Sequence, residues 1–239
     1  MLPRSRGCAV ILLLTSLFGS PHSAAAQQPD SATIVRNIDA SIRARFDHVL
    51  RFTVIEHYAV YHKSEQSPPI AQMTVRTLYQ KDSGKTYTIL SESGPSIIRS
   101  LVLSALLDEE QRIDEPANRE ASWFTSDNYE MKVEPGGPQP IDGRACYAVS
   151  INPRKKAPNL IRGTMWVDAK DFSTVRVEGV STKSPSIFTG PTRMMRQYAL
   201  VDGYAQATHA RAVSKSMFFG RAIILIDYSD YQVELSPSP

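Results

Sequence analysis

Beyond residue 26 the sequence holds four histidines (His48, His57, His62 and His209), one cysteine (Cys146) and a few acidic clusters. These side chains have the clearest claim to chemistry, and their spacing argues against most of it. A metal site needs three or four ligands that converge on one point. The chain has no H-E-x-x-H, and His57 and His62 lie five apart, so on a strand they point to opposite faces. Cys146 has no histidine near it in sequence to act as a base, which leaves a nucleophile role poorly supported. Asp108, Glu109 and Glu110 fall near the C-terminal end of a predicted helix. Acids interact poorly with the dipole there, and the trio reads as a solvated end rather than an acid–base pair. Asp227 and Asp230, three apart in a predicted strand, diverge. There is no G-x-S-x-G elbow and no glycine-rich phosphate loop. The basic stretch PRKKAP (153–158) reads as a solvated hairpin tip, with contact to an anionic headgroup or an acidic partner as the alternative. The chain is therefore expected not to be an enzyme, and to carry no cofactor and no metal.

The surrounding elements explain what such a chain is built for. From Ser31 the apolar residues Ile34, Ile38, Ile42 and Phe46 recur every four, with Val35 and Leu50 near the stripe, and Asp30 or Ser31 can cap the start. The period then becomes two. Residues 51–62 and 71–80 read as long strands, and 85–92 as a third. On the second of these Ala71, Met73, Val75 and Tyr79 share a face, and Arg76 and Gln80 take the other, the pattern of a sheet wet on one side. A second helix opens at Gly94-Pro95-Ser96 and continues to about Ile113. Ile98, Leu101, Val102 and Ala105 form its apolar stripe, widened by Ile97, Leu103, Leu106 and Leu107. It reads as a buried core helix or as a lid whose inner face meets an apolar ligand. Strands dominate the rest, for about ten in all, joined antiparallel by short turns.

The stretch LIRGTMWVDAKDFSTVRVEG (160–179) reads as a hairpin. A five-residue loop over 168–172 would set Val167 opposite Ser173, Met165 opposite Val175 and Gly163 opposite Val177 on one apolar face. Thr164 would then face Arg176, and Arg162 would face Glu178, on a solvent face, with Trp166 diagonal to Arg176. Gly163 leaves a dent able to receive a helix or a ligand.

Compartment and charge come from the first residues. Arg4 and Arg6, the apolar run Cys8–Phe18, and Ala24-Ala25-Ala26 before Gln27 have the form of a secretory signal peptide with cleavage between Ala26 and Gln27. Its removal leaves 25 bases against 24 acids, so no electrostatic case for nucleic acid survives. It also leaves Cys146 alone, which excludes a disulfide framework. No later run is apolar enough to cross a membrane as a helix. The expected organisation is a signal over residues 1–26, one domain over 27–235 and a frayed tail over 236–239, exported to a periplasm as a soluble monomer.

Taken in order, SESGPSIIRSLVLSALLDEE, DNYEMKVEP, DGRACYAVSINPRKKAPNLIRGTMWVDAKDFSTVRVEG and IDYSDYQV resemble the outer-membrane lipoprotein-sorting (LolA-like) proteins, over roughly 91–233. The resemblance implies a mostly-β fold: an incomplete antiparallel β-barrel of about 10–11 strands, with helices over its apolar concave face. It also implies a carrier that shelters acyl chains without covalent chemistry, taking a lipid or an acylated protein as partner and meeting envelope membrane proteins. The residues supply matching walls. Ile98, Leu101, Val102 and Ala105 on the helix, with Met165, Val167, Val175 and Val177 on the sheet, are the candidate cavity lining. The alternative is a protein-binding or sensor module that uses the Arg/Trp/Glu face of the hairpin on the same scaffold, without lipid.

Overall fold

The computed structural model describes residues 29–157, 159–184, 190–216 and 220–237. The expected signal peptide, with its expected cleavage point at Ala26 and Gln27, Pro158 of the basic tip and the last two residues of the expected tail lie outside them.

Helix α1 (Ser31–His48) starts where the sequence predicts, on Asp30, whose carboxylate accepts from the Thr33 N–H at 2.8 Å. Its stripe buries Ile34 and Ile38, packs Ile42 at the edge of the same core, and ends with Phe46 stacked on Trp123, ring centroids 4.2 Å apart. Eleven strands follow: β1 (Val49–His62), β2 (Ala71–Gln80), β3 (Gly84–Ser93), β4 (Tyr129–Val133), β5 (Gln139–Ile141), β6 (Arg144–Pro153), β7 (Ile161–Asp168), β8 (Thr174–Ser181), β9 (Arg193–Val201), β10 (Tyr204–Ser216) and β11 (Gly220–Leu235). They form one antiparallel sheet in the order β3-β2-β1-β11-β10-β9-β8-β7-β6-β4, with the short β5 on β6. The two end strands, β3 and β4, do not pair, so the sheet curls without closing. Register breaks in the β1–β11, β2–β3, β7–β8 and β9–β10 pairs insert extra residues, which bend strands and raise local twist. The mostly-β, incomplete-barrel class read from the sequence is the observed one.

Both helical elements lie on the concave side, each over its own half. The α1 half holds Ile34 and Ile38 against Tyr129, Tyr147, Val149, Ile151, Met165, Val167 and Val177 of β4 and β6–β8. The second element, residues 96–114, is not one regular helix. It runs as α2 (Ser96–Ile98), a π-helical stretch (Arg99–Ser104) and α3 (Ala105–Asp114). It covers the other half, with Leu103 and Leu107 buried against Tyr58, Val60, Met73, Val75 and Ile226. The wider π turn changes which residues share a face. The stripe expected from a 3.6-residue period therefore splits: Ile98 and Val102 pack at the margin of that core, whereas Leu101 and Ala105 are exposed.

The 160–179 hairpin keeps its faces but not its expected register. Met165 pairs with Val177, Gly163 with Gly179, Thr164 with Glu178, and Trp166 directly with Arg176, a shift of two residues along β8 below a bulge at Trp166/Val167. The cause is the turn. Asp168 Oδ1 accepts from the Lys170 and Asp171 N–H groups, and Phe172 takes the left-handed conformation at φ 57°, so the loop is wider than a tight hairpin needs. The shift is even, so the apolar set stays on the concave face. There is no dent at Gly163: a Cβ there would stand 1.9 Å from the Glu178 carbonyl oxygen and 2.5 Å from Gly179 Cα. The glycine pair lets two backbones approach; it does not receive a ligand.

Candidate functional site

Between the two helix-covered halves lies the middle of the concave face, floored by β9, β10 and β11. Period-two geometry puts Met194, Arg196 and Tyr198 of β9, Ala210, Ala212 and Ser214 of β10, and Ile224, Ile226 and Tyr228 of β11 on this side. The row on β10 is small; Ala210 and Ile226 are buried in the core beneath residues 96–114, whereas Met194, Ala212 and Ile224 are half-buried and Arg196 is exposed.

This face has a charged flank. On β1 the inward-facing run Phe52, Val54, Glu56, Tyr58, Val60 carries a carboxylate among apolar side chains, and Glu56 is only 1% exposed. Its oxygens accept from the Tyr58 hydroxyl and, at 2.7 Å, from Thr77 Oγ1. Burial, and then the Glu110 carboxylate, push the Glu56 carboxyl above its usual range. Lys85, at the start of β3, pairs with Asp114 at 2.8 Å and Glu110 at 3.3 Å. Burial opposes its charge, but Asp114 and then Glu110 outweigh that and hold the ammonium well above its ordinary value. Glu110 also takes a long bond from the Tyr87 hydroxyl, at 3.4 Å. From α3 it reaches across to Arg196 of β9 at 3.9 Å. Because α3 packs over β2 and β3 while β9 lies on the far side of β11 and β10, this contact crosses the middle of the sheet. The expectation of a solvated acidic end is corrected here. Glu109 does face outward, bonded to Arg112, but Glu110 is 16% accessible because Lys85 draws it onto the sheet.

The predicted lining does not converge. Met165, Val167 and Val177 sit in the core under α1, and Val175 is buried in the bulged part of β8. Ile98 and Val102 sit in the other core, and Leu101 and Ala105 face away from the sheet. Leu101 is 65% exposed, its neighbour one turn back, Ile97, is 57% exposed, and Ile89 and Leu90 of the edge strand β3 are also open to solvent. The sequence reading missed Glu56, Lys85 and Arg196. The available signal was a charged residue at an inward position of an otherwise apolar strand face.

The remaining chemistry candidates are accounted for structurally. Cys146 is fully buried, and burial, with Asp168 nearby, pushes its thiol up to about 11. Among the described residues no group of three or more His, Cys, Asp or Glu is placed to hold a metal ion. His209 pairs with Asp227 at 2.6 Å on the convex side. The convex hairpin face is spoken for: Arg176 binds Asp142 and Glu178, and Gln197 also donates to Asp142. A surface cleft of about 520 Å³ at the end of the hairpin is lined by Arg144, Asp168 and Asp171, already tied together as ion pairs. Arg154, Lys155 and Lys156 of the basic tip are exposed. No helix of the described residues is long and apolar enough to cross a membrane.

The sequence matches no family model and no curated protein. Its fold is similar to several solved structures. One is a LolA superfamily protein from Nitrosomonas europaea, 13% identical, with a TM-score of 0.45 over 87% of this chain and 96% of that one. Another is a DUF1329 family protein from Desulfovibrio piger, 15% identical, with a TM-score of 0.42 over 86% and 95%. A third, from Vibrio parahaemolyticus, bears the name of an outer-membrane lipoprotein-sorting protein domain, at 13% identity and a TM-score of 0.46 over 84% and 91%.

Proposed function

We propose that this protein is a non-enzymatic carrier of the cell envelope, exported and acting as a monomer, that shelters the acyl chain of a lipid or lipid-modified protein. Residues 96–114, with the middle of the concave face beside them, are its site. The observation that carries this reading is the two-sided helix. One side buries Leu103 and Leu107 in the sheet core, and the other holds Ile97 and Leu101 at 57% and 65% exposure. A contiguous apolar surface of this kind is costly to leave in water and marks a site that is covered in use. An acyl chain supplies that cover and gains about 0.8 kcal/mol for each CH₂ buried. Leu101 and Ala105, on the outer side of residues 96–114, are the proposed first contacts, and Ile98 and Val102, at the core margin, follow when this segment lifts. Met165, Val167, Val175 and Val177 are the proposed second wall, which a chain reaches only when α1 moves off its half of the sheet.

The π-helical stretch supports the same reading. A helix that changes its hydrogen-bonding period in mid-course has a weak point at which its two ends can move separately. Its fastenings are sparse: Arg99 to Glu92 at one end, Lys85 to Asp114 and Glu110 at the other. The protein-binding alternative loses ground, because the hairpin face it would use is saturated by its own ion pairs. The test is uptake of a fluorescent fatty acid by the purified protein and by Leu101→Glu. Binding lost in the variant, with an unchanged far-ultraviolet circular dichroism spectrum, supports the assignment. Unchanged binding removes residues 96–114 from the site.

A further inference from the structure

We infer that the middle of the concave face selects cargo bearing an anionic head, a carboxylate or phosphate seated on Arg196, and that Glu110 occupies that place when cargo is absent. This rests on the carrier reading and adds the class of cargo. The guanidinium stands on the concave face with its side chain 44% accessible, and its cross-strand neighbours there are Val177 and Ala210. Those two are buried in the cores, but Met194, Ala212 and Ile224, two residues along on the same face, are half-buried, so the cation borders an apolar surface that fits a ligand charged at one end and greasy beyond it. The hydroxyl-bearing rings of Tyr228 and Tyr198 stand beside the guanidinium and can donate to the same anion.

The present partner is a poor one. Glu110 comes no closer than 3.9 Å to Arg196, outside hydrogen-bond range, and no other carboxylate comes within 4 Å of it among the described residues. The other contacts of Glu110, 3.3 Å to Lys85 and 3.4 Å to the Tyr87 hydroxyl, are also long. Lys85 keeps its 2.8 Å bond to Asp114 whether or not Glu110 moves, so α3 stays fastened if Glu110 yields. A guanidinium that can offer a fork of N–H donors, with two tyrosine hydroxyls and one distant acid beside it, has unused capacity for a bidentate oxyanion. With Lys85 matched by Asp114, and Glu56 engaged by the Tyr58 and Thr77 hydroxyls, Arg196 and Glu110 are the pair left to exchange partners.

The experiment compares palmitate with its methyl ester, which has the same chain and no charge, by displacement of a fluorescent fatty acid at neutral pH. Wild-type protein should prefer the acid by about tenfold or more, the range of a charge-assisted hydrogen-bond pair. Arg196→Gln should erase that preference while still binding the ester, and Arg196→Lys should keep part of it. Glu110→Gln, which removes the competing carboxylate, should tighten the acid and leave the ester unchanged. Circular dichroism and thermal unfolding confirm that each variant is folded. Equal binding of acid and ester by wild type, or a preference that survives Arg196→Gln, overturns the inference and leaves the carrier reading standing. Binding of neither overturns both. Displacement of palmitate by millimolar inorganic phosphate, with no ester binding, assigns the site to a free anion and overturns the amphiphile.

Discussion

Leu101→Ala separates an apolar side chain that holds the fold from one held ready for cargo. Fully burying a leucine is worth about 1.5–3 kcal/mol. Leu101 is 65% exposed, so the folded protein collects only the remaining third, about 0.5–1 kcal/mol. Alanine is also the better helix former, which offsets part of that loss. Stability to urea should therefore fall by less than about 1 kcal/mol. If an acyl chain covers the exposed two-thirds, the variant forfeits about 1–2 kcal/mol of binding, or roughly 5- to 30-fold in Kd. Leu103→Ala is the control: at 0% exposure it should cost about 2–5 kcal/mol of stability. The assay pairs urea unfolding with fatty-acid displacement on the same preparations. A large stability loss at Leu101, or a Kd within twofold of wild type, would refute the reasoning.

Other perturbations probe separate parts of the account. Gly163→Ala drives a methyl onto the Glu178 carbonyl, a backbone atom that cannot rotate away, and should cost at least about 2 kcal/mol with an unchanged urea m-value; a neutral result would mean that the β7–β8 pair is not so close. Glu56→Gln tests the buried carboxyl. Its folded pKa is raised by burial and by Glu110, so the stability it lends is fully present below the unfolded value of about 4.5 and is lost as pH rises through the folded value. Wild type should therefore lose ground to Glu56→Gln as pH rises above about 4.5, and a constant difference would count against the shift. Cys146, fully buried and with its thiol pushed up to about 11, should react with a thiol reagent at pH 8 only on unfolding.

Most of the scaffold was legible because it rests on short-range periodicity. The run Ala71, Met73, Val75, Tyr79 announces a half-wet strand, and Asp30 before the Ile34/Ile38/Ile42 stripe announces a capped amphipathic helix. Three features escaped for physical reasons. The π turn within 99–104 changes the helical period, so a fixed 3.6-residue template assigns Leu101 and Ala105 inward and undervalues Leu103. The hairpin register depends on how Asp168 ties its loop, a matter of side-chain hydrogen bonds rather than hydrophobic pattern. The Glu56–Lys85–Glu110–Arg196 group comes from four elements far apart in sequence, and only the curl of the sheet brings them together. The candidate walls were correctly apolar, but which half each helix covers is a question of topology that residue type does not answer.

The central claim is that this protein carries lipid. The most direct test is native mass spectrometry of the full chain, expressed with its first 26 residues and recovered from the envelope fraction, followed by organic extraction. The account predicts a retained species of lipid mass that Leu101→Glu lacks, and that extracts as an anionic amphiphile. An apo mass in the wild type, with no uptake of added fatty acid, would contradict it.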